Sequence, residues 1–415
     1  MKILMVDKYY FVKGGVERYM FEFADALRRD GHEVIFFSMK DERNEETPYE
    51  KFFVDHIDFE FKSPLEKLSK SLKVAGRVIY SRHAQKKLKA LIEETKPDIA
   101  HLHMIDHQIS PSILPVLKHY QIPVIQTAHQ YKLVCPNYLL YIPQKEQVCE
   151  ACMDRHYFHA FFNKCHKNSY GASALVALES TIHKWLGIYK HVQLFHVPSR
   201  FMGEKLKQGG VPAEKIRHQV LSINLADYPF YSDFDDYCVY LGRVSYEKGI
   251  STLLKAVHTL SGSGINLKIV GDGPIRGDLE KESAQLNLNN VAFLGQKSGT
   301  ELKEIIGKAR FVIIPSEWYE NCPLVVLESF ALGKPVVGAR IGGISELIDD
   351  GINGRLFRSG SVDELARCIG DLYHDEDWIR KLGAEARKKA ETHFSWDANY
   401  QKTIRMYKEL LQQDE

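Results

Sequence analysis

No apolar run in this chain approaches the roughly 18 residues a membrane-crossing helix needs. Its 44% apolar and 26% charged residues are those of a globular protein. Net charge is nearly absent: 55 Lys and Arg stand against 54 Asp and Glu in 415 residues. That balance excludes a nucleic-acid coat or an acidic partner held by bulk charge. The opening MKILMVDKYYF lacks the cationic start, long apolar core and small-residue cleavage site of a secretory leader. The expectation is a cytoplasmic protein. Low-complexity segments are missing too. Cysteine is sparse, and seven is an odd number that fits no closed disulfide framework. The cysteines are also uneven. Cys135, Cys149, Cys152 and Cys165 crowd together, while Cys238, Cys322 and Cys368 are scattered.

What is present is alternation. KILMVD reads as a strand, KYYFVKGG as a loop, about 16–30 as an amphipathic helix and GHEVIFFS as a second strand. PDIAHLH, PVIQTAH and LFHVPS continue the series. After an acidic, aromatic pause at YPFYSDFDDY it restarts with CVYLGRV, LKIVGDGP, VAFLGQ, RFVIIPS and KPVVGAR. The pattern predicts α/β architecture with two Rossmann-like, doubly wound parallel-sheet domains facing a cleft. The expected limits are 1–230, with a cysteine-bearing insert at about 131–170, then 231–396. A last helix, 397–415, is placed to cross back to the first domain.

PSEWYENCPLVVLESFALGKP carries the chemistry. Asn321 or Cys322 is expected to cap a short helix, with Pro323 in its first turn, Gly333 at its left-handed stop and Pro335 beyond. This helix is apolar on nearly every side, yet it holds Glu328. A buried carboxylate costs several kcal/mol, about 2–7 for polar groups in general, unless its oxygens are hydrogen-bonded. Ligand hydroxyls would serve, and so would a buried arginine. The helix N-terminus follows a strand at the carboxyl edge of a parallel sheet, where such sheets bind ligands and amides welcome anions. GRVSYEKG supplies Arg243 and Lys248 in a glycine-bounded turn at the same edge, a planar fork and a point charge suited to a diphosphate. IVGDGP (Gly271, Asp272, Gly273) and GGISE are further turns of this kind, and VKGGVER brings Gly14 and Gly15 to the equivalent place in the first domain.

Glu320 and Glu328 have the E-x7-E spacing. With GRVSYEKG, IVGDGP, ALGKPVV and GGISELI in this order, and KGGVERY, RRDGHEV and TAH before them, the chain resembles retaining glycosyltransferases of family 4, with the GT-B fold. The resemblance implies a UDP- or GDP-sugar donor held mostly by the second domain, and a glycan or lipid-linked acceptor approaching from the first. By carry-over Arg243 and Lys248 would contact the diphosphate, and Glu328 the ribose hydroxyls. Glu320 and the backbone after it (Asn321, Cys322, Leu324, Val325) would hold the transferred sugar. Gly14 and Gly15 would lie against the phosphates, and His129 near the reaction centre. No cofactor is required, because the two cations neutralise the leaving group. A pathway in cell-surface polysaccharide or glycoconjugate synthesis is the implied setting. A sugar-nucleotide epimerase and a non-catalytic nucleotide-sugar sensor are the alternatives.

The insert has one Cys-x2-Cys knuckle, Cys149 and Cys152, with Cys135 and Cys165 on either side. Four thiolates suit a structural zinc clip, with His156, His159 and His166 as alternative ligands. Buried reduced thiols and a redox pair are the rivals. His101, His103 and His107 read as cleft-lining or structural. A basic stretch at 62–96 is a candidate for contact with an anionic membrane, or an ordinary solvated helix face.

Overall fold

The computed structural model describes residues 1–58 and 74–412. The first domain opens with β1 (Lys2–Val6), α1 (Gly15–Arg29) and β2 (Glu33–Phe37), then β3 (Ile99–Leu102) and β4 (Val124–Thr127). Between β4 and the next strand the chain makes a hairpin, β5 (Tyr141–Ile142) with β6 (Gln147–Val148), then α2 (His159–Phe162) and α3 (Tyr170–Leu186). β7 (Leu194–Val197), α4 (Arg200–Gln208) and β8 (Ile216–His218) complete it. The second domain comprises β9 (Cys238–Leu241), β10 (Leu267–Val270), β11 (Val291–Gly295), β12 (Val312–Ile314), α5 (Leu324–Ala331), β13 (Val336–Ala339) and β14 (Gly354–Phe357). The last helix is α6 (Trp396–Gln412).

Each domain is built on a six-stranded parallel sheet. The orders are β2-β1-β3-β4-β7-β8 and β11-β10-β9-β12-β13-β14. The expected doubly wound architecture is what forms, because short continuous apolar strands bury both faces under helices. Both orders reverse direction at one point, between β1 and β3 in the first sheet and between β9 and β12 in the second. Crevices open at the carboxyl ends of the strands at such points, and ligands bind there.

One large apolar cluster belongs to each domain, a third is shared, and two smaller ones lie about the insert. The shared cluster runs from Met20 and Phe23 of α1 through Leu327 and Phe330 of α5 to Tyr407 of α6. Trp396 stacks on Phe23 with ring centroids 5.5 Å apart, and Tyr400 donates to Asp30 at 3.0 Å. The last helix therefore packs on the first domain. Of the basic stretch at 62–96, positions 62–73 lie outside the described residues; Arg82–Thr95 is a helix capped by Ser81. No helix among the described residues is long and apolar enough to cross a membrane.

Candidate active site between the two domains

At the switch point of the second sheet, the turn after β9 and the loop after β12 meet through one ion pair. Lys248 Nζ lies 2.6 Å from Glu320 Oε1, and Ser316 Oγ donates to the same oxygen at 2.8 Å. Glu320 is buried, and Lys248 is partly exposed. Arg243, from the same turn, points into solvent, and no carboxylate among the described residues pairs with it. The turn holds its shape by backbone packing. Gly271 has φ +137, and a Cβ on it would sit 1.9 Å from the Gly242 carbonyl oxygen; one on Gly273 would sit 2.1 Å from that of Val244. Val244 N donates to Asp272 O at 3.0 Å. The GRV and GDG turns thus interlock, which is why glycine recurs in both.

The Glu320 loop is held from behind in the same way. Gly343 N donates to Glu320 O at 2.7 Å, and a Cβ at Gly343 would fall 1.6 Å from Asn321 O. The Gly-Gly of GGISE is what lets that backbone come so close. The glutamate of the motif faces elsewhere: Glu346 accepts from the amides of Arg200 and Phe201 at 2.8 and 2.7 Å, capping α4 of the other domain.

The cap of α5 differs from the sequence expectation. Neither Asn321 nor Cys322 caps it. Pro323 is the N-cap residue, with no side-chain bond to the first turn, and the helix begins at Leu324. Asn321 is occupied otherwise, because its amide bridges the domains. Its Oδ1 accepts from Ser199 Oγ at 2.8 Å, and its Nδ2 donates to Ala128 O at 2.8 Å. His129 and Glu320 are thus each one residue from a bond that joins the two domains. Leu324 meets the other side of the cleft at Gly15, where an added Cβ would lie 3.0 Å from Leu324 Cδ1. Gly14 caps α1 in extended geometry, and its amide donates to Glu17 at 2.9 Å. Cys322 and Val325 are half-buried, and burial pushes the Cys322 thiol up to about 12.

Glu328 finds an arginine. The Arg18 guanidinium of α1 is ion-paired with it, and the Tyr228 hydroxyl donates to it at 3.2 Å. Burial raises the Glu328 pKa, and Arg18 pulls it back. Sequence reasoning left the partner open between ligand hydroxyls and arginine. The structure pairs it with the arginine, from the opposite domain.

His129 belongs to a neutral histidine array. His129 Nε2 and His103 Nδ1 lie 2.9 Å apart, and the His103 ring stacks on His101 at 4.5 Å. His101 bonds Thr127 Oγ1 at 2.7 Å and the Tyr407 hydroxyl of α6 at 2.6 Å. Burial, and then neighbouring imidazoles, lower the pKa of His101, His103 and His129. His129 therefore offers a hydrogen bond and no charge. Arg18, Tyr228 and Ser316 carry no signal in the sequence, whereas His103, with its neighbours in HLHMIDH, reads there as cleft-lining or structural.

The four clustered cysteines are free thiols that line one small cavity of about 10 Å³ with His159. Cys135 Sγ donates to Asn137 Oδ1 at 2.8 Å. Among the described residues no group of three or more His, Cys, Asp or Glu side chains is placed to hold a metal ion. The zinc expectation thus gains no support from the structure. The insert also reaches the cleft, because Glu150 accepts from the Tyr319 hydroxyl and pairs with Lys205, each at 2.7 Å.

Comparison with known proteins agrees with this layout. Residues 13–219 match the family "Glycosyltransferase Family 4" and residues 232–389 match "Glycosyl transferases group 1". An uncharacterized glycosyltransferase of Methanocaldococcus jannaschii is 28% identical over 209 residues, covering 50% of this chain and 56% of that relative. The sucrose-phosphate synthase structure from Thermosynechococcus elongatus superposes with TM-score 0.72 at 20% identity, covering 99% of this chain and 98% of that one. HepE of Anabaena, solved in complex with UDP and glucose, gives 0.69 at 18% identity, covering 98% and 99%. With one family matched in each sheet domain and the same fold over the whole length, the chain belongs to the GT-B glycosyltransferases that pair a family-4 first domain with a group-1 second domain.

Proposed function

We propose that the protein transfers a sugar from a nucleotide-diphosphate donor, UDP- or GDP-linked, to a hydroxyl of a glycan or lipid-linked acceptor, with retention at the anomeric carbon. Cell-surface polysaccharide or glycoconjugate synthesis is the setting we assign to it. The observation that carries the reading is the Lys248–Glu320 pair at the switch point, beside Arg243, which no carboxylate among the described residues pairs, and opposite the Gly14–Gly15 start of α1. That HepE, of the same fold, was solved with UDP and glucose supports the donor class.

The chemistry follows from charge. Breaking the bond between the anomeric carbon and the diphosphate oxygen leaves negative charge on the diphosphate. Lys248, held by Glu320, and Arg243, reaching out from the same turn, would meet that charge as it grows, and so favour the transition state over the bound donor. The acceptor oxygen bonds to the anomeric carbon on the face the diphosphate leaves, and its proton passes to the departing phosphate oxygen. No protein base is needed for that transfer. Glu320, released from Lys248 as the diphosphate takes over the cation, is free to accept from sugar hydroxyls. Neutral His129 offers a further hydrogen bond at the sugar.

Thermal unfolding against a panel of sugar nucleotides tests the donor, because a ligand at 100 times its Kd stabilises by about 2.7 kcal/mol. At least one UDP- or GDP-sugar is expected to raise the midpoint, and transfer from it is expected to give the donor's own anomer by NMR. A panel in which no nucleotide shifts the midpoint, or an inverted product, overturns the reading.

A further inference from the structure

The helix α3 buries more polar than apolar side chains. Its inward arc carries Ser173, Glu179, Ser180 and His183 beside Val176 and Ala177, all buried, with Glu179 paired to Lys132 at 2.7 Å. Its outward arc carries the exposed Tyr170, Leu178, Trp185 and Leu186, with Leu175 and Ile182 half-buried between them at helical spacing. Trp185 is 79% exposed and Leu178 50%. Beside the start of this helix, Phe158, Phe161 and Phe162 of the α2 segment extend the apolar face. Phe162 is 69% exposed, and the Phe161 ring lies 5.1 Å from that of Tyr170. A contiguous exposed apolar surface of this kind marks an interaction site.

The charge around it names the partner. From 155 to 190 the cations are Arg155, Lys164, Lys167, Lys184 and Lys190, and the sole carboxylate is the buried, paired Glu179. Asp154, just before, is bonded to His156 at 2.6 Å. A cavity of about 210 Å³ beside α3 repeats the pattern, with Lys184, Lys190, Lys215 and Arg155 in its lining and no carboxylate. Ser180, also in that lining and buried, has a hydroxyl with no hydrogen-bond partner. Exposed aromatic and aliphatic side chains in a stretch rich in cations, with Lys164 4.4 Å from the Tyr170 ring and a cationic cavity alongside, suit a bilayer interface carrying anionic headgroups. They do not suit a protein surface of ordinary mixed charge.

We infer that the α2–α3 face docks the protein on the surface of an anionic membrane, the apolar side chains entering the headgroup boundary and the lysines meeting lipid phosphates. The site is distinct from the basic stretch at 62–96, and it is independent of donor chemistry. It has a geometric consequence, because the same insert touches the cleft through Glu150 and Tyr319. Docking by α3 fixes the direction in which the cleft faces the bilayer.

Flotation of the full chain with vesicles tests the inference. Binding is expected to phosphatidylcholine vesicles containing phosphatidylglycerol and not to phosphatidylcholine alone. Lys184→Ala and Lys190→Ala should each weaken it about fivefold, and Trp185→Ser with Phe162→Ser about tenfold or more. All four positions are exposed, and circular dichroism of each variant checks the fold; if the double serine variant misfolds, the lysine variants decide alone. Equal binding to both vesicle types, no binding, or binding unmoved by the variants overturns the inference. So does a dimer in sedimentation that Trp185→Ser dissociates, since the occupant is then a second copy.

Discussion

The guanidinium of Arg18, on α1, is ion-paired with the carboxylate of Glu328, in the middle of α5, so each domain supplies half of one buried pair. Glu328 is 3% exposed, and the Tyr228 hydroxyl also donates to it, at 3.2 Å. The carboxylate proposed to receive ribose hydroxyls is thereby satisfied within the protein. The same interaction holds α1, with its Gly14–Gly15 start, against α5.

Arg18→Ala is expected to lower stability by about 2 kcal/mol in denaturant titration, since it strands a buried charge. The full range for buried pairs is not reached, because the arginine side chain is about a third exposed. Glu328→Gln keeps an acceptor for both partners and should be stable. If Glu328 also receives ribose, KM for the donor rises about tenfold or more in Glu328→Gln, while Tyr228→Phe leaves it within about threefold. An unchanged donor KM in Glu328→Gln removes the ribose role.

Lys248→Ala should cut kcat/KM about 100-fold or more, the scale of losing one preorganised charge partner of a leaving group. Lys248→Arg should recover part of the loss. The unfolding midpoint should fall modestly, because Glu320 keeps Ser316. Turnover within about threefold of the parent in Lys248→Ala, measured as release of nucleoside diphosphate, removes the diphosphate assignment.

How much of this was legible in the sequence depends on the range of the interaction. The strand–helix alternation, the glycine turns after β9 and β10, and the Glu320–Glu328 spacing are local, and their patterns state them. What stayed hidden pairs residues far apart in the chain. Nothing periodic links Arg18 to Glu328, Asn321 to Ser199 and Ala128, or His101 to Tyr407 of the last helix. The α5 cap was misread for a related reason, since Asn321 is a good cap by type but its amide is recruited across the cleft. α3 is apolar enough in sequence to pass for a core helix, and only side-chain burial shows that its apolar arc faces out.

The pH profile of stability should have two limbs of opposite sign. His101, His103 and His129 have pKa values below the ordinary 6.5, and His196 is lowered to about 4, all chiefly by burial. The unfolded chain binds those protons first as pH falls, so stability is lost below about 6.5. Asp7 runs the other way. Burial first, and then Glu17, raise it from 3.8 to about 8, although the amides of Tyr9 and Met104 donate to it. The folded chain keeps that proton after the unfolded chain has released it, so its share of stability falls as pH rises from about 4 to 8 and is flat above. Asp7→Asn should flatten the fall between pH 7 and 8 in chemical denaturation, even though its amide meets the Met104 N–H less well. An identical slope in the variant rejects the assignment.

Thiol chemistry gives a separate check on the insert. Burial raises Cys135, Cys152 and Cys165, the last to about 12, with neighbouring thiols adding to the rise. Alkylation at pH 8 in the folded protein should be slow at these three. Seven thiols should count as free in urea without reductant, matching seven cysteines with no disulfide. A count of five would mean that one pair is oxidised.

Gly343→Ala tests whether the Glu320 loop is held from behind. The new Cβ would lie 1.6 Å from Asn321 O, a backbone atom, so the loop must move rather than a side chain swing aside. Moving it displaces Glu320 from Lys248 and Asn321 from Ala128 together, since both belong to the same short backbone segment. The expected result is a fall in kcat/KM of about 100-fold with stability reduced by about 1–3 kcal/mol. Gly351→Ala is the matched control for a nearby glycine, because its added Cβ meets nothing within 4 Å. That position has φ +78, so the control carries backbone strain without the clash. Loss of activity in Gly343→Ala but not in Gly351→Ala therefore assigns the effect to the displaced loop. Equal losses in both would assign it to general destabilisation, and the support from behind would then play no part in setting the site.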